Sequence, residues 1–153
     1  MSLEVYLRQA IALSVQAREQ GNHPFGALIV DAGGSVLAQA MNASRGDPTA
    51  HAELSAVRSA AAQANAGVLR QATLYSSAEP CAMCAGAIYW SGIRRVVYAL
   101  SEARLLQLTG SHPENPTLSL PCRDVFNCGQ RAIAVVGPLL EDEAAAAHAG
   151  FWR

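Results

Sequence analysis

His51-Ala52-Glu53 and, farther along the chain, Pro80-Cys81-Ala82-Met83-Cys84 are the residues whose types and spacing could do chemistry. Two cysteines three apart at a helix start lie on one face, and the free N–H groups there favour the thiolate, the form that binds metal. His51, at the start of a second helix, can complete a set of three protein ligands. Zinc accepts mixed nitrogen and sulfur donors, and three ligands rather than four leave a position open for water, which separates a catalytic site from a structural one. Glu53 stands two residues beyond His51 in the same first turn, well placed to reach such a water. Zinc brings the pKa of a bound water to about 7, and an adjacent carboxylate can take the proton and pass it on.

Each part alone has a plainer explanation. Cys-x-x-Cys serves equally as half of a structural zinc site or as a redox pair, but a structural site needs a fourth ligand at matching spacing. Cys122 and Cys128 lie in a different segment, make a poor second pair, and are read as buried or incidental thiols. Glu53 could cap its helix, yet Thr49 precedes it by four positions where the capping box requires three. A lone histidine is ordinarily a satisfied core or surface residue. Only the coupling of His51 to Glu53 and the two cysteines overturns that expectation.

The elements that must position these residues follow from periodicity. Apolar residues recur at helical spacing over 3–20 and stop at Gly21. Residues 26–30 and 36–40 read as two antiparallel strands around a glycine-containing turn at 31–35. The polar stretch 42–48 has no period, and an alanine-rich helix is expected over 50–66, so His51 and Glu53 fall in its first turn. A strand at 73–77 leads into Glu79-Pro80 and a helix over 81–90, with proline at its opening, where a missing N–H costs nothing. Residues 95–99 and 132–136 are β-rich, 101–105 and the proline-containing 111–121 are loops, and 139–150 is a carboxy-terminal helix with acidic residues in its first turn. This order favours an α/β fold, a mixed sheet with helices on its faces.

At 153 residues, 51% hydrophobic and 15% charged, the chain reads as one domain over 1–153 with its own core. A net charge of −1 and a pI near 6.4 argue against a nucleic-acid partner, whose binding rests on many Lys and Arg contacts. No stretch reaches the roughly 18 apolar residues of a membrane span, and the first twenty residues carry no signal-peptide pattern, so no membrane association and a cytoplasmic setting are expected. In a reducing compartment the four cysteines serve as ligands or buried thiols rather than disulfides.

H-x-E followed by P-C-x-x-C is the signature of zinc base deaminases. The chain resembles the cytidine and deoxycytidylate deaminase superfamily, in the branch of guanine deaminases, fungal-type cytosine deaminases and tRNA adenosine deaminases. Pro24-Phe25-Gly26-Ala27, Asn42, Asp47 to Glu53, Leu74-Tyr75, Glu79 to Trp90 and Gly92-Ile93 carry the resemblance, which weakens beyond Leu100. It implies a three-layer α/β/α fold with a five-stranded mixed sheet, assembled as a homodimer with active sites near the subunit boundary. It implies Zn2+ on His51, Cys81 and Cys84, with Glu53 carrying the proton while C–NH2 becomes C=O and ammonia leaves. By position, it makes Asn42, the Ala52 N–H and the Glu79 carbonyl contacts to the substrate, and Phe25 and Trp90 its walls.

Departures from the relatives bear on the substrate. The tRNA enzymes carry a smaller aliphatic residue at Phe25 and a basic loop where this chain has Ser101-Glu102-Ala103-Arg104-Leu105, so a free base is the expected substrate. Guanine deaminases carry an acidic Phe-Asp-Asp stretch about where Gly110-Ser111-His112 falls, leaving His112 or Glu114 as alternative contacts. Guanine, cytosine, isocytosine and amino-triazines all stay open. A tRNA adenosine deaminase and a non-catalytic zinc-binding module of the same fold are the alternatives. The terminal Gly150-Phe151-Trp152-Arg153 should dock rather than hang free, with Phe151 or Trp152 closing the pocket as a lid.

Overall fold

A computed structural model describes residues 2–153. Its elements are α1 (Leu3–Glu19), β1 (Gly26–Val30), β2 (Val36–Met41), α2 (Ala52–Gln63), α3 (Ala66–Arg70), β3 (Thr73–Ala78), α4 (Ala82–Ser91), β4 (Arg95–Leu100), α5 (Glu102–Thr109), α6 (Cys122–Asn127), β5 (Ala134–Val136) and α7 (Glu141–Ala146). The strands form one sheet in the order β2-β1-β3-β4-β5. β1 is antiparallel to both β2 and β3, whereas β3, β4 and β5 are mutually parallel. The five-stranded mixed sheet expected from the sequence is therefore present.

Alternation along the strands builds a core on each face, because successive side chains point to opposite sides. Ala27, Ile29, Leu74, Val96 and Tyr98 meet α2, α4 and α6 through Ala56, Ala60, Ala85, Ile88 and Phe126. Leu28, Val30, Tyr75, Val97 and Ala99 meet Leu7, Ala10 and Ile11 of α1 and Ala144 of α7. All five β1 residues are buried, as a strand covered on both faces requires. α1 lies against β1 so closely that a Cβ at Gly26 would come within 2.5 Å of Leu13 Cβ and 2.6 Å of the Ala10 carbonyl oxygen. Only a glycine there permits that approach.

This topology decides where chemistry can occur. β2, β3 and β4 run in one direction and end at one edge of the sheet, and β1 begins at that same edge. The residues just past those ends, Asn42, Glu79 to Cys81 and Glu102, are gathered there with Phe25. The loop from β2 to α2 is pinned into a compact form: Ala43 N donates to Ala50 O, and Asp47 Oδ1 accepts from Thr49 N and Oγ1. That closure brings His51 back beside the end of β2.

Several segments differ from expectation. The alanine-rich helix is two helices, since Ala64 turns extended and the Asn65 side chain caps a new start by accepting from Val68 N. Residues 101–105, expected as a loop, open α5, because Ser101 Oγ accepts from Arg104 N and caps it. α6 had no helical period to announce it. The carboxy-terminal helix is shorter than 139–150: it begins after Leu140, which has a left-handed φ of 57°, and the chain turns after Ala146 toward Phe151. Among the described residues no helix is long and apolar enough to cross a membrane.

Candidate active site

His51 and Cys81 are both N-cap residues, with extended backbone at φ −72°, ψ 152° and φ −67°, ψ 172°. Helices α2 and α4 pack side by side through small residues, so their open N-termini face a common point. His51 Nδ1 lies 3.6 Å from Cys81 Sγ and 3.6 Å from Cys84 Sγ. The three ligand atoms all fall within 4.8 Å of one another, and among the described residues this is the one cluster of its kind.

The donor set fits zinc. Tetrahedral bonds of about 2.0 Å to nitrogen and 2.3 Å to sulfur put those donor atoms about 3.6 Å apart, which is the spacing found. The cluster has three protein donors rather than four, as an open catalytic site requires. The Cys81 thiol is drawn down by its hydrogen bonds with Cys84 and His51, against the effect of burial. Cys84 is held up by the same contact and by burial, and since zinc binds thiolates its binding would release protons from the pair. His51 is raised, chiefly through its contact with Cys81.

Glu53, only 6% exposed, sits in the first turn of α2. Burial pushes its carboxyl up to about 7, with the negative Cys81 adding to the rise and His51 opposing it. A group balanced there can accept and return a proton near neutral pH. His51, Glu53 and Cys81 open onto a cavity of about 520 Å³, whose size suits a small molecule.

Asn42, buried at the end of β2, lines that cavity. Its Oδ1 accepts from Ser44 N at 3.0 Å and from Ser44 Oγ at 2.8 Å. The backbone N–H can only donate, so the amide orientation is set and the NH2 group remains for the cavity. Ala52 is fully buried at the first position of α2, where backbone N–H groups have no intrahelical partner. Phe25 lines the cavity just before β1.

Glu79 does more than its backbone suggested. Its carboxylate accepts from Glu102 N at 3.0 Å and from Cys122 N at 2.8 Å, tying the starts of α5 and α6 to the loop that carries Cys81. Cys122 is accordingly a buried structural residue, whose thiol burial and Glu79 push up to about 12, while Cys128 is exposed.

Three residues expected at the pocket stand elsewhere. Trp90 is 78% exposed at the last turn of α4, its ring edge-on to Tyr89, because α4 buries the face of Cys84, Ala85 and Ile88, and Trp90, two residues past Ile88, falls on the opposite side. Trp152 does not line the cavity: it donates Nε1–H to His148 Nδ1 at 2.9 Å and packs on His23 and Phe25, which do. His112 rests edge-on against Trp152 and accepts from Glu114 N, outside the cavity. Glu114 does reach the lining, held at 3.1 Å by His23 Nε2, which lines it too.

Glu102 is the residue that sequence reasoning missed. It lines the cavity and is 8% exposed, and its carboxyl is pushed up to about 8 by burial and then by Cys81, Glu79 and Glu53. The available signal was an acidic residue directly after a strand and behind a Ser cap.

An α/β/α sheet carrying a His-Cys-Cys donor set beside a buried glutamate defines the class of zinc-binding deaminase domains. Residues 1–100 match the cytidine and deoxycytidylate deaminase zinc-binding region, and the chain belongs to that family. It is 48% identical over 148 residues to a probable cytosine deaminase of Schizosaccharomyces pombe, across 96% of this chain and 90% of that protein. It is 41% identical over 101 residues to a tRNA-specific adenosine deaminase of Haemophilus influenzae, across 65% of this chain and 58% of that protein. Among solved structures, the guanine deaminase from Nitrosomonas europaea superimposes with a TM-score of 0.80 at 25% identity, covering 98% of this chain and 84% of that one.

Proposed function

We propose that this chain is a hydrolytic deaminase of a free nucleobase or related amino-heterocycle, converting C–NH2 to C=O and releasing ammonia. One observation carries this reading: a buried glutamate beside a three-donor metal set, both opening onto a small-molecule cavity. A non-catalytic zinc-binding module has no use for Glu53 in that place.

His51 Nδ1 and the sulfurs of Cys81 and Cys84 would hold zinc, which when bound would supply an acidified water as the nucleophile. Glu53 collects the proton of the attacking water, delivers it to the ring nitrogen beside the reacting carbon, and then helps protonate the leaving amine. The Glu79 carbonyl accepts from that amine. The Asn42 NH2 and the Ala52 N–H donate to acceptors on the ring, and Phe25 packs against it. A ring so held is oriented before reaction, which removes much of the entropic barrier.

The broad likeness to a probable cytosine deaminase and the net charge of −1 favour a free base over a structured RNA. A single domain, a homodimer and a cytoplasmic setting belong to the same proposal. Ammonia release from a panel of cytosine, guanine, isocytosine, their nucleosides and tRNA tests it. Turnover of one or more free bases by the zinc-loaded protein is expected. Turnover of tRNA alone, or of nothing in the panel, would overturn it.

A further inference from the structure

The chemistry proposed above uses Glu53 and leaves a second buried acid in the same cavity without a task. Glu102 forms no side-chain hydrogen bond and no ion pair among the described residues, although it is only 8% exposed. Among the described residues no side-chain nitrogen or oxygen is both sealed from solvent and without a partner, so the Glu102 oxygens open to the cavity, where a ligand group can meet them. Its placement is firm: Ser101 caps α5, and the Glu102 N–H is fixed by Glu79 Oε1 at 3.0 Å. The side chain therefore enters the cavity from a well-held first turn.

The sheet order says which side it enters from. β1 and β3 lie between β2 and β4, so the backbone starting points of Asn42 and Glu102 are three strand spacings apart, about 14 Å. His51 and Glu53 at the start of α2 and Cys81 at the start of α4 line the same cavity. A substrate held at the metal thus meets Asn42 from one flank and Glu102 from the other. Asn42 offers N–H donors, because Ser44 occupies its oxygen. Glu102 offers oxygen acceptors, and a carboxyl oxygen accepts whether or not its twin carries a proton. The complementary ring presents an acceptor such as a carbonyl toward Asn42 and an N–H toward Glu102.

A free base has such an N–H at the nitrogen that bears the sugar in a nucleoside. We propose that Glu102 is a specificity residue that accepts a hydrogen bond from this ring N–H, and so selects free bases over N-substituted ones. The inference rests on the deaminase reading and adds the feature by which the substrate class is chosen. Loss of the N–H, by methylation or by a glycosidic bond, leaves the carboxyl unpartnered and adds bulk against it. Sites that hydrogen-bond a substrate group discriminate strongly against analogues lacking it.

The test is a cycle between enzyme and substrate. Zinc-loaded wild type and Glu102→Ala are assayed for kcat/KM on cytosine against 1-methylcytosine and on guanine against 9-methylguanine. For at least one pair, wild type should favour the free base by about 100-fold or more. Glu102→Ala should lower kcat/KM for that free base by about 10- to 100-fold, largely through KM, and change the methylated partner by less than about threefold. Glu102→Gln keeps an acceptor oxygen and should recover most of the preference. Glu102→Leu, which keeps the volume, replaces Glu102→Ala if the smaller side chain impairs folding, and zinc content is measured on every variant.

Equal losses on both members of a pair would make Glu102 a structural residue and overturn the inference while leaving the deaminase reading intact. Wild-type turnover of methylated bases at the rate of free ones would overturn it as well. No turnover of any base by zinc-loaded wild type would defeat the deaminase reading and this inference together.

Discussion

Acid should loosen the carboxy terminus through one residue, His148. Its ring is 3% exposed, stacks on Trp152, meets Phe25 edge-on, and accepts the Trp152 indole N–H at 2.9 Å on Nδ1. Burial, with the Arg18 guanidinium and His23 adding to it, lowers its pKa from the ordinary 6.5 to about 4. Between those values the unfolded chain binds a proton that the folded chain refuses. The contribution to stability is thus complete above pH 6.5, declines as the pH falls, and is gone below about 4. That gap, at about 1.4 kcal/mol per pH unit, amounts to about 3 kcal/mol. Protonation also removes the lone pair that holds Trp152, so both effects act in the same direction.

Urea unfolding of wild type and His148→Asn between pH 7.5 and 4 measures this. Asn keeps an acceptor near the Nδ1 position and cannot be charged, and the metal ligands titrate alike in both proteins, so the difference between the two profiles isolates His148. Wild type should lose about 3 kcal/mol more than the variant across this range. Parallel profiles would show that His148 is protonated in the folded protein at no cost, and the reasoning from burial would be wrong. Because the folded protein keeps His148 neutral down to about pH 4, Trp152 should go on supporting His23 and Phe25 at the cavity, and His148→Asn should leave the pH dependence of KM above that value unchanged.

Glu53→Ala should bind zinc as wild type does, by metal analysis, while kcat falls by about 10²- to 10⁴-fold. Glu79→Ala strands the buried N–H groups of Glu102 and Cys122 and should cost about 3 kcal/mol or more in thermal or urea unfolding, with Glu79→Gln milder because one acceptor survives. Gly26→Ala forces α1 away from β1 and should destabilise by about 1 to 3 kcal/mol, read as a lower unfolding midpoint.

The metal ligands and Glu53 were legible because their geometry is local. A helix start orients side chains within one turn, so His-x-Glu and Cys-x-x-Cys each describe a nearly complete fragment, and only the docking of α2 on α4 had to be supplied. The strands were legible for the same reason, since a short β-rich run bounded by turn residues is a property of neighbours in sequence. Glu102 was not, because its role depends on lying past β4 while Asn42 lies past β2, a relation set by strand order. Trp90 and Trp152 misled in opposite ways: an aromatic in a helix of the donor set faces solvent, and one at the chain end is half-buried against residues that line the cavity.

By itself the sequence determined the His-Cys-Cys donor set, the carboxylate beside it and the β-rich runs that make the sheet. Tertiary structure alone decided which polar groups share the cavity with the donor set, that Glu79 ties three segments through two N–H groups, and that Trp152 packs on His23 and Phe25. Those relations join residues far apart in the chain, such as Glu79 with Cys122 and Arg18 with the carbonyls of Ala147 and Ala149. Periodicity and caps report on a few neighbouring residues, whereas long-range pairing is chosen by whichever packing buries both faces of the sheet at once.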